Sequence, residues 1–327
     1  MGSERWEVRG EARAKGLDRA LVACCAVVAL GVQLGVAPPV LAQTSSVDEP
    51  VVLRFPPSIR AAGFNGAGVA LVGNAGAVFF NPAALATIRH VALEGALQSG
   101  PFAGELSTAA VAWRIQQFDI GFGLHYFDFD NSPGPGGGFL TPAGTPVEAT
   151  ELLAVGSLVY RFGLIALGGS GKWVSRNVEG VRERGVSADL GMAIAVFDIM
   201  AIGFAVQNIG GNWSNTSSLR MPRLTRFGFT MNYVDPQGTF RLLSTIEWQW
   251  KAGRKQRFVI GGEGGIVIGG VGVVGRLGYG TRPEPTARAP VTYGATLELG
   301  AMDVDFAYDP NDLLNDPSRR IGVRIAI

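Results

Sequence analysis

The chain of 327 residues is short of the side chains that usually carry chemistry. It has two cysteines, adjacent at Cys24 and Cys25, and two histidines, His90 and His125. Neither a disulfide framework nor a cysteine- or histidine-rich metal site can be built from these. Charge is scarce as well, at 17% Asp, Glu, Lys and Arg against roughly a quarter in ordinary domains. A formal net charge of +1 gives no basic footprint for nucleic acid. No stretch sustains a 3.6-residue apolar period, so the signal of a helical domain is missing. At 47% hydrophobic residues the chain is nonetheless too apolar to be disordered. What it has in excess is glycine: 47 residues, about 14% and roughly twice the usual share.

The first 42 residues read as an export signal. Arg5, Arg9, Arg13, Lys15 and Arg19 form a basic start, an uncharged and mostly apolar run covers Ala20 to Ala37, and Pro38-Pro39 break it before Val40-Leu41-Ala42. This order predicts cleavage after Ala42. The run is too short, and too close to helix-breaking prolines, for a membrane anchor. Cleavage removes both cysteines and leaves 23 basic and 23 acidic side chains.

From about residue 91 the text alternates with period two, the pattern of strands. Phe118, Ile120, Phe122, Leu124 and Tyr126 alternate with Asp119, Gly121, Gly123, His125 and Phe127. Similar runs start at Arg226, Met302 and Arg320. Segments are expected at 91–99, 105–115, 118–128, 148–161, 164–176, 185–196, 199–208, 223–234, 239–250, 256–264, 270–280, 290–299, 302–309 and 319–327. Most approach the roughly 9–11 residues of a tilted membrane-spanning strand.

The connections alternate in length. Gln116-Gln117, Phe162-Gly163, Phe197-Asp198, Pro236-Gln237-Gly238, 265–269 and Gly300-Ala301 are short; 129–147, 177–184, 209–222, 281–289 and 310–318 are longer. Short turns at one end, long loops at the other and an even strand count predict an all-β, transmembrane outer-membrane barrel of about 14 antiparallel strands. A soluble Greek-key sandwich needs no such parity. The apolar set would then face the lipid bilayer. The opposite face is read as small and polar, and it carries Glu94, Arg161, Lys172, Asp189, Arg226, Arg241, Glu247, Arg257, Glu263, Arg276, Glu298, Asp303, Asp305 and Arg324. Seven charges of each sign predict ion pairs across a lumen rather than an ion-selective field. Lys172, Asp189, Arg226, Glu247, Glu263, Arg276, Glu298, Asp303 and Asp305, with His125, are the lumen candidates.

Residues 43–90 precede the barrel, which spans 91–327. Within them Gly63 to Gly76 is rich in small residues, including Gly66 and Gly68, and Phe80-Asn81-Pro82-Ala83 follows. Asn81 can cap a short helix with Pro82 at its first position, where the missing N–H costs nothing. A compact hatch in the barrel mouth is expected, with Asn81, Pro82, Ala83, Gly66 and Gly68 as its gating residues. These elements resemble the N-terminal region of the FadL-like outer-membrane proteins, most closely the PorV/PorQ type. The resemblance continues through Ala188-Asp189-Leu190-Gly191, Gln207-Asn208-Ile209-Gly210, Met221-Pro222, Arg226-Phe227-Gly228, Gly261-Gly262-Glu263 and Arg276-Leu277-Gly278-Tyr279. It implies a fourteen-stranded barrel with an N-terminal hatch. It also implies passage of hydrophobic or lipidic small molecules across the outer membrane or, as an alternative, a substrate-receiving part in type IX-like protein secretion. One departure from many such barrels is the last residue, Ile327, where an aromatic is usual.

Enzymatic chemistry finds little support. Gly168-Gly169-Ser170-Gly171-Lys172 lacks both the Ser or Thr that should follow the lysine of a phosphate loop and its earlier glycine. A lipase site would need a nucleophile beside His125, and no nucleophile motif is present. Asp303, Asp305, Asp309 and Asp312 read as solvated loop positions rather than a cation site. No cofactor and no metal is expected.

Overall fold

The computed structural model describes residues 49–99, 104–129, 149–196, 199–211, 219, 221–234, 239–281, 290–310 and 317–327. The export signal and most of the long loops, including the Pro133–Gly138 tract, lie outside the described residues. Fourteen strands close on themselves: β1 (Val91–Ser99), β2 (Glu105–Ile115), β3 (Phe118–Phe129), β4 (Ala149–Phe162), β5 (Ile165–Val178), β6 (Val181–Val196), β7 (Met200–Ile209), β8 (Leu224–Val234), β9 (Phe240–Lys251), β10 (Arg257–Ile268), β11 (Val271–Gly280), β12 (Val291–Leu299), β13 (Met302–Asp309) and β14 (Ser318–Ala326). Each pairs antiparallel with its sequence neighbour, and β1 closes the ring on β14 with Ala92 opposite Ala326. Closure leaves no unpaired edge, the condition for a sheet to stand in lipid.

The two faces separate as the period-two reading requires. Phe122 and Leu124 are half exposed, while Asp119, Gly121, Gly123 and His125 between them are buried. Outward aromatics meet at the rim and across strands: Phe118 with Tyr160 across β3–β4, Tyr160 with Phe162 along β4, and Phe227, Trp248 and Phe258 as a row over β8–β10. The inner face departs from the expectation of a uniformly small and polar surface. Leu106, Phe127, Phe129, Leu153, Val155, Val159 and Val174 are buried on the inner wall of β2–β5. They are tolerated there because apolar hatch residues cover them.

Two boundaries differ from the sequence reading. The loop expected at 177–184 is a two-residue turn, Glu179-Gly180, and β6 begins at Val181. Both turn residues have positive φ, 50° and 81°, the geometry that follows the twist of a tight hairpin. The charged run that suggested a loop instead pairs across strands, Arg176 with Glu183. The turn expected at 265–269 shrinks to Gly269-Gly270 (φ 61° and 82°), and β10 continues to Ile268. Gly264 and Gly265 interrupt the apolar pattern without interrupting the ladder, since both remain paired with β11.

Inside the ring lies the hatch. It comprises a 3-10 turn at Val51–Leu53, helix α1 (Ile59–Gly63), and 3-10 turns at Ala75–Phe79 and Pro82–Thr87. Its path crosses the barrel from one end to the other. Glu49 meets Lys251 at the long-loop end of β9, whereas Thr87 leads into β1 at the short-turn end. Ile59, Phe64, Val69, Val78, Ala83 and Leu85 are buried to 1% exposure or less.

Candidate functional site

The site is the junction between hatch and wall, and its local key is Asn81. Its backbone is extended (φ −152°, ψ 106°), and its Oδ1 accepts the Ala83 N–H at 3.1 Å, capping the turn that Pro82 opens. Its Nδ2 donates to Val69 O at 2.8 Å and to Met192 O at 3.1 Å. One fully buried amide thus joins two hatch segments to β6. The wall makes room with glycine: a Cβ on Gly191 would stand 2.1 Å from Asn81 Oδ1, and one on Gly203 would stand 2.2 Å from Val69 O. Gly68 is equally constrained, because a Cβ there would enter the Phe80 ring at 2.5 Å. Gly66 holds φ +84°.

Three wall glutamates hold the hatch by its main chain. Glu94 on β1 accepts the N–H of Ile59 (2.9 Å) and of Gly76 (3.1 Å). Ile59 is the first residue of α1, so the carboxylate also meets a helix N-terminus. Glu151 on β4 accepts Val52 N–H at 3.0 Å. Glu247 on β9 accepts Gly68 and Val69 N–H at 2.7 and 2.9 Å. Carboxylates bonded to N–H groups away from water make stronger bonds than neutral acceptors do.

Ion pairs surround these bonds. Arg226 on β8 pairs with Glu247 at 2.6 Å, donates to Gly66 O at 3.1 Å and lies 5.2 Å from the Phe80 ring centre. On the other side, Arg60 of α1 pairs with Glu263 on β10 at 3.0 Å. Glu263 also receives Arg276 on β11 at 2.8 Å, and Arg276 stands 3.7 Å from Asp305 on β13. Arg324 on β14 pairs with both Asp305 and Asp303, the latter at 3.1 Å. The chain of charges therefore runs from the hatch through β10 and β11 to β13 and β14. It alternates in sign at every step, which is how buried charges are tolerated.

The remaining lumen candidates lie in separate places. Lys172 and Asp189 form a buried pair at 2.7 Å, and Asp189 also accepts the Asn208 N–H at 2.9 Å. This pair staples the register shift between β6 and β7 rather than the hatch. Glu298 pairs with half-exposed Arg241 at 3.3 Å, away from the hatch. His125 is buried, its Nδ1 2.7 Å from Thr108 Oγ1 and its ring 6.3 Å from Phe79. Asp303 and Asp305 are committed to Arg324, and the described residues hold no group of His, Cys, Asp and Glu able to bind a metal. Asp312 is outside the described residues.

Several contributors were not singled out from the sequence. Glu151 shares its parity with Arg161, so the alternation that put Arg161 inward could have found it. Asp119 shares the parity of His125 and takes two arginines, Arg114 and Arg161, each at 3.0 Å. Gln207, which donates to Phe79 O at 2.8 Å, lay within the Gln207–Gly210 motif but was given no role, and Thr292, which donates to Gly63 O at 3.0 Å, had no signal beyond parity.

Between the hatch and the wall, toward the long-loop end, lies a cavity of about 260 Å³. Val52, Phe55, Phe79, Phe80 and Leu153 supply apolar lining, and Arg54, Lys251, Arg254 and Arg257 stand among its cations. The hatch touches every strand: β1–β7 and β11–β14 through its turns and α1, and β8, β9 and β10 through Arg226, Glu247 and Glu263.

Comparison with solved structures finds a similar fold in proteins named as hydrocarbon transporters and channels. The toluene transporter TbuX of Ralstonia pickettii is similar in fold (TM-score 0.57, 14% identity, 85% of this chain and 99% of that one). So is the monoaromatic hydrocarbon channel CymD (TM-score 0.57, 11% identity, 85% and 98%). A deletion mutant of the monoaromatic hydrocarbon channel TodX follows (TM-score 0.51, 11% identity, 82% and 97%). At these identities the likeness concerns the fold. No protein-family model matches the chain, and no curated protein matches it.

Proposed function

We propose that the protein is an outer-membrane channel for hydrophobic small molecules, with the hatch as its gate and no enzymatic role. The observation that carries this reading is the hatch itself, which touches all fourteen strands and is held through side chains rather than by strand pairing. A plug joined to the sheet by a ladder would be part of the wall. One held by carboxylates, guanidiniums and an amide can shift while the barrel stays closed. In a lining that also holds eight Lys and Arg side chains, the apolar residues beside the cavity suit the apolar body of a passenger. Its chemistry would be that of the molecules named for the channels of similar fold, toluene and other monoaromatic hydrocarbons. Delivery by an export signal cleaved after Ala42 belongs to the same proposal.

Reconstitution tests it. Vesicles containing the folded barrel should take up toluene faster than empty vesicles, and an outer-membrane deletion strain should lose that uptake. Equal uptake by full and empty vesicles would contradict the proposal. The second reading, a substrate-receiving barrel in protein secretion, rests on the PorV/PorQ resemblance of the hatch and strand motifs. It predicts that deletion changes the set of proteins on the cell surface and leaves toluene uptake unchanged.

A further inference from the structure

Residues 49–57 differ from the rest of the hatch. Pro50, Pro56 and Pro57 bracket the segment, and a proline cannot donate to a ladder. Among the described residues its main-chain bonds run within the segment, from Leu53, Arg54 and Phe55 back to Pro50 and Val51. Its attachments to the wall use wall side chains at three places. Glu151 on β4 takes the Val52 N–H. Arg320 on β14 donates to Pro56 O and lies 6.0 Å from the Phe55 ring centre. At β9 the direction reverses: the segment's own carboxylate, Glu49, sits between Lys251 and Arg254, the latter at 3.8 Å. The three points are spread around the ring at β4, β9 and β14, so the segment spans the mouth. Val52 through Pro57 line the cavity of about 260 Å³.

We propose that residues 49–57 form a displaceable strap over this cavity, latched by the Glu49 carboxylate in the Lys251–Arg254 cation pair. The Glu49 side chain is 8% exposed, whereas those of Lys251 and Arg254 are 20% and 28% exposed. The latch is therefore sheltered enough to count and close enough to water to open. Opening leaves Glu49, Lys251 and Arg254 free to hydrate, and it exposes Val52 and Phe55, now 1% and 4% exposed. The strap would act as an autoinhibitory contact on the passage proposed above, and it rests on that reading only for its effect on flux.

Because Cys24 and Cys25 lie before the expected cleavage point, a Val52→Cys reporter can be read without other thiols in the processed chain. Maleimide labelling of that thiol measures strap opening directly, and toluene flux into vesicles measures its consequence. Adding Glu49→Gln should speed labelling roughly tenfold, the change that about 1.4 kcal/mol of lost closing free energy produces. Replacing Lys251 and Arg254 with Gln should do the same. Combining all three should add nothing further, since both changes remove one interaction. Unchanged labelling in barrels shown to be folded by heat-modifiability, or fully additive effects, overturns the latch. Faster labelling with higher flux supports the whole proposal. Faster labelling with flux equal to that of empty vesicles supports the latch and counts against the channel reading instead.

Discussion

The hatch meets the wall in two different ways on its two sides. Against β2–β7 the turns at Ala75–Phe79 and Pro82–Thr87 pack by shape. Phe79 and Val78 fill the space over Gly123, Leu85 lies over Gly121, and Asn81 seats against Gly191. Against β8–β14 Phe64 still packs over Gly261 and Gly278, but ion pairs are added to the packing, with Arg226–Glu247 on one strand pair and Arg60–Glu263–Arg276–Asp305–Arg324 on the next. Apolar packing is non-directional and tolerates small slides, whereas a buried charge that loses its partner is costly. The charged side therefore acts as the anchor and the packed side as the surface over which a moving hatch would travel.

The largest expected effect lies on the anchored side. Arg276→Ala leaves Glu263 and Asp305 short of a partner in the lumen. It should cost about 3–5 kcal/mol of hatch or barrel stability, read as a lower denaturant midpoint in detergent. A shift no larger than that of an exposed pair would show that the anchor is not electrical.

A change in the wall alone gives the control. Phe229→Arg points a charge into lipid and should cost about 2–4 kcal/mol at mid-bilayer. The inward but half-buried Asn232→Arg on the same strand should cost much less. Folded fractions from heat-modifiability in vesicles check both, and equal responses would reverse the assigned faces of β8.

Next comes the packed side. Asn81→Ala with Pro82→Gly removes the cap and leaves Val69 O and Met192 O without their donor, about 1–3 kcal/mol for each buried group. Hydrogen exchange should rise across residues 66–87 and stay unchanged in β10–β14. Exchange that rises equally on both sides would erase the distinction between anchor and sliding surface.

The smallest effect is expected at Arg241–Glu298, an inward pair that does not touch the hatch. The Arg241 side chain is 51% exposed, so Glu298→Gln should change stability by less than about 1 kcal/mol and leave hatch exchange as it was. Urea titration of the two proteins checks this.

How much of this the sequence showed depends on how local each feature is. Strand positions were legible because lipid outside and hatch inside enforce period two along every strand, as Phe118–Phe129 displays. The Asn81-Pro82 cap was legible because it is made within three residues. Membership of the inner face was legible by parity, and every inward charge named from it is on that face. Partners were not legible, since they depend on strand register and on contacts far apart in the chain. Arg60 reaches Glu263 across 203 residues, and Glu49 reaches Lys251 across 202. The hairpin at Glu179-Gly180 was misread because β5 and β6 carry polar residues beyond the apolar band, where composition alone looks like a loop. Glu151 was missed for a similar reason, as it stands at the polar start of β4.

The proposed channel depends on a hatch that gates a hydrophobic route without being part of the wall. Toluene flux per folded molecule in vesicles carrying the Asn81→Ala, Pro82→Gly protein tests it most directly, with the folded fraction counted by heat-modifiability in the same sample. A loosened gate should leave a normal folded fraction and give a flux per molecule several-fold above that of the unaltered protein. A reduced folded fraction with unchanged flux per molecule would contradict it and leave the hatch as an aid to barrel assembly.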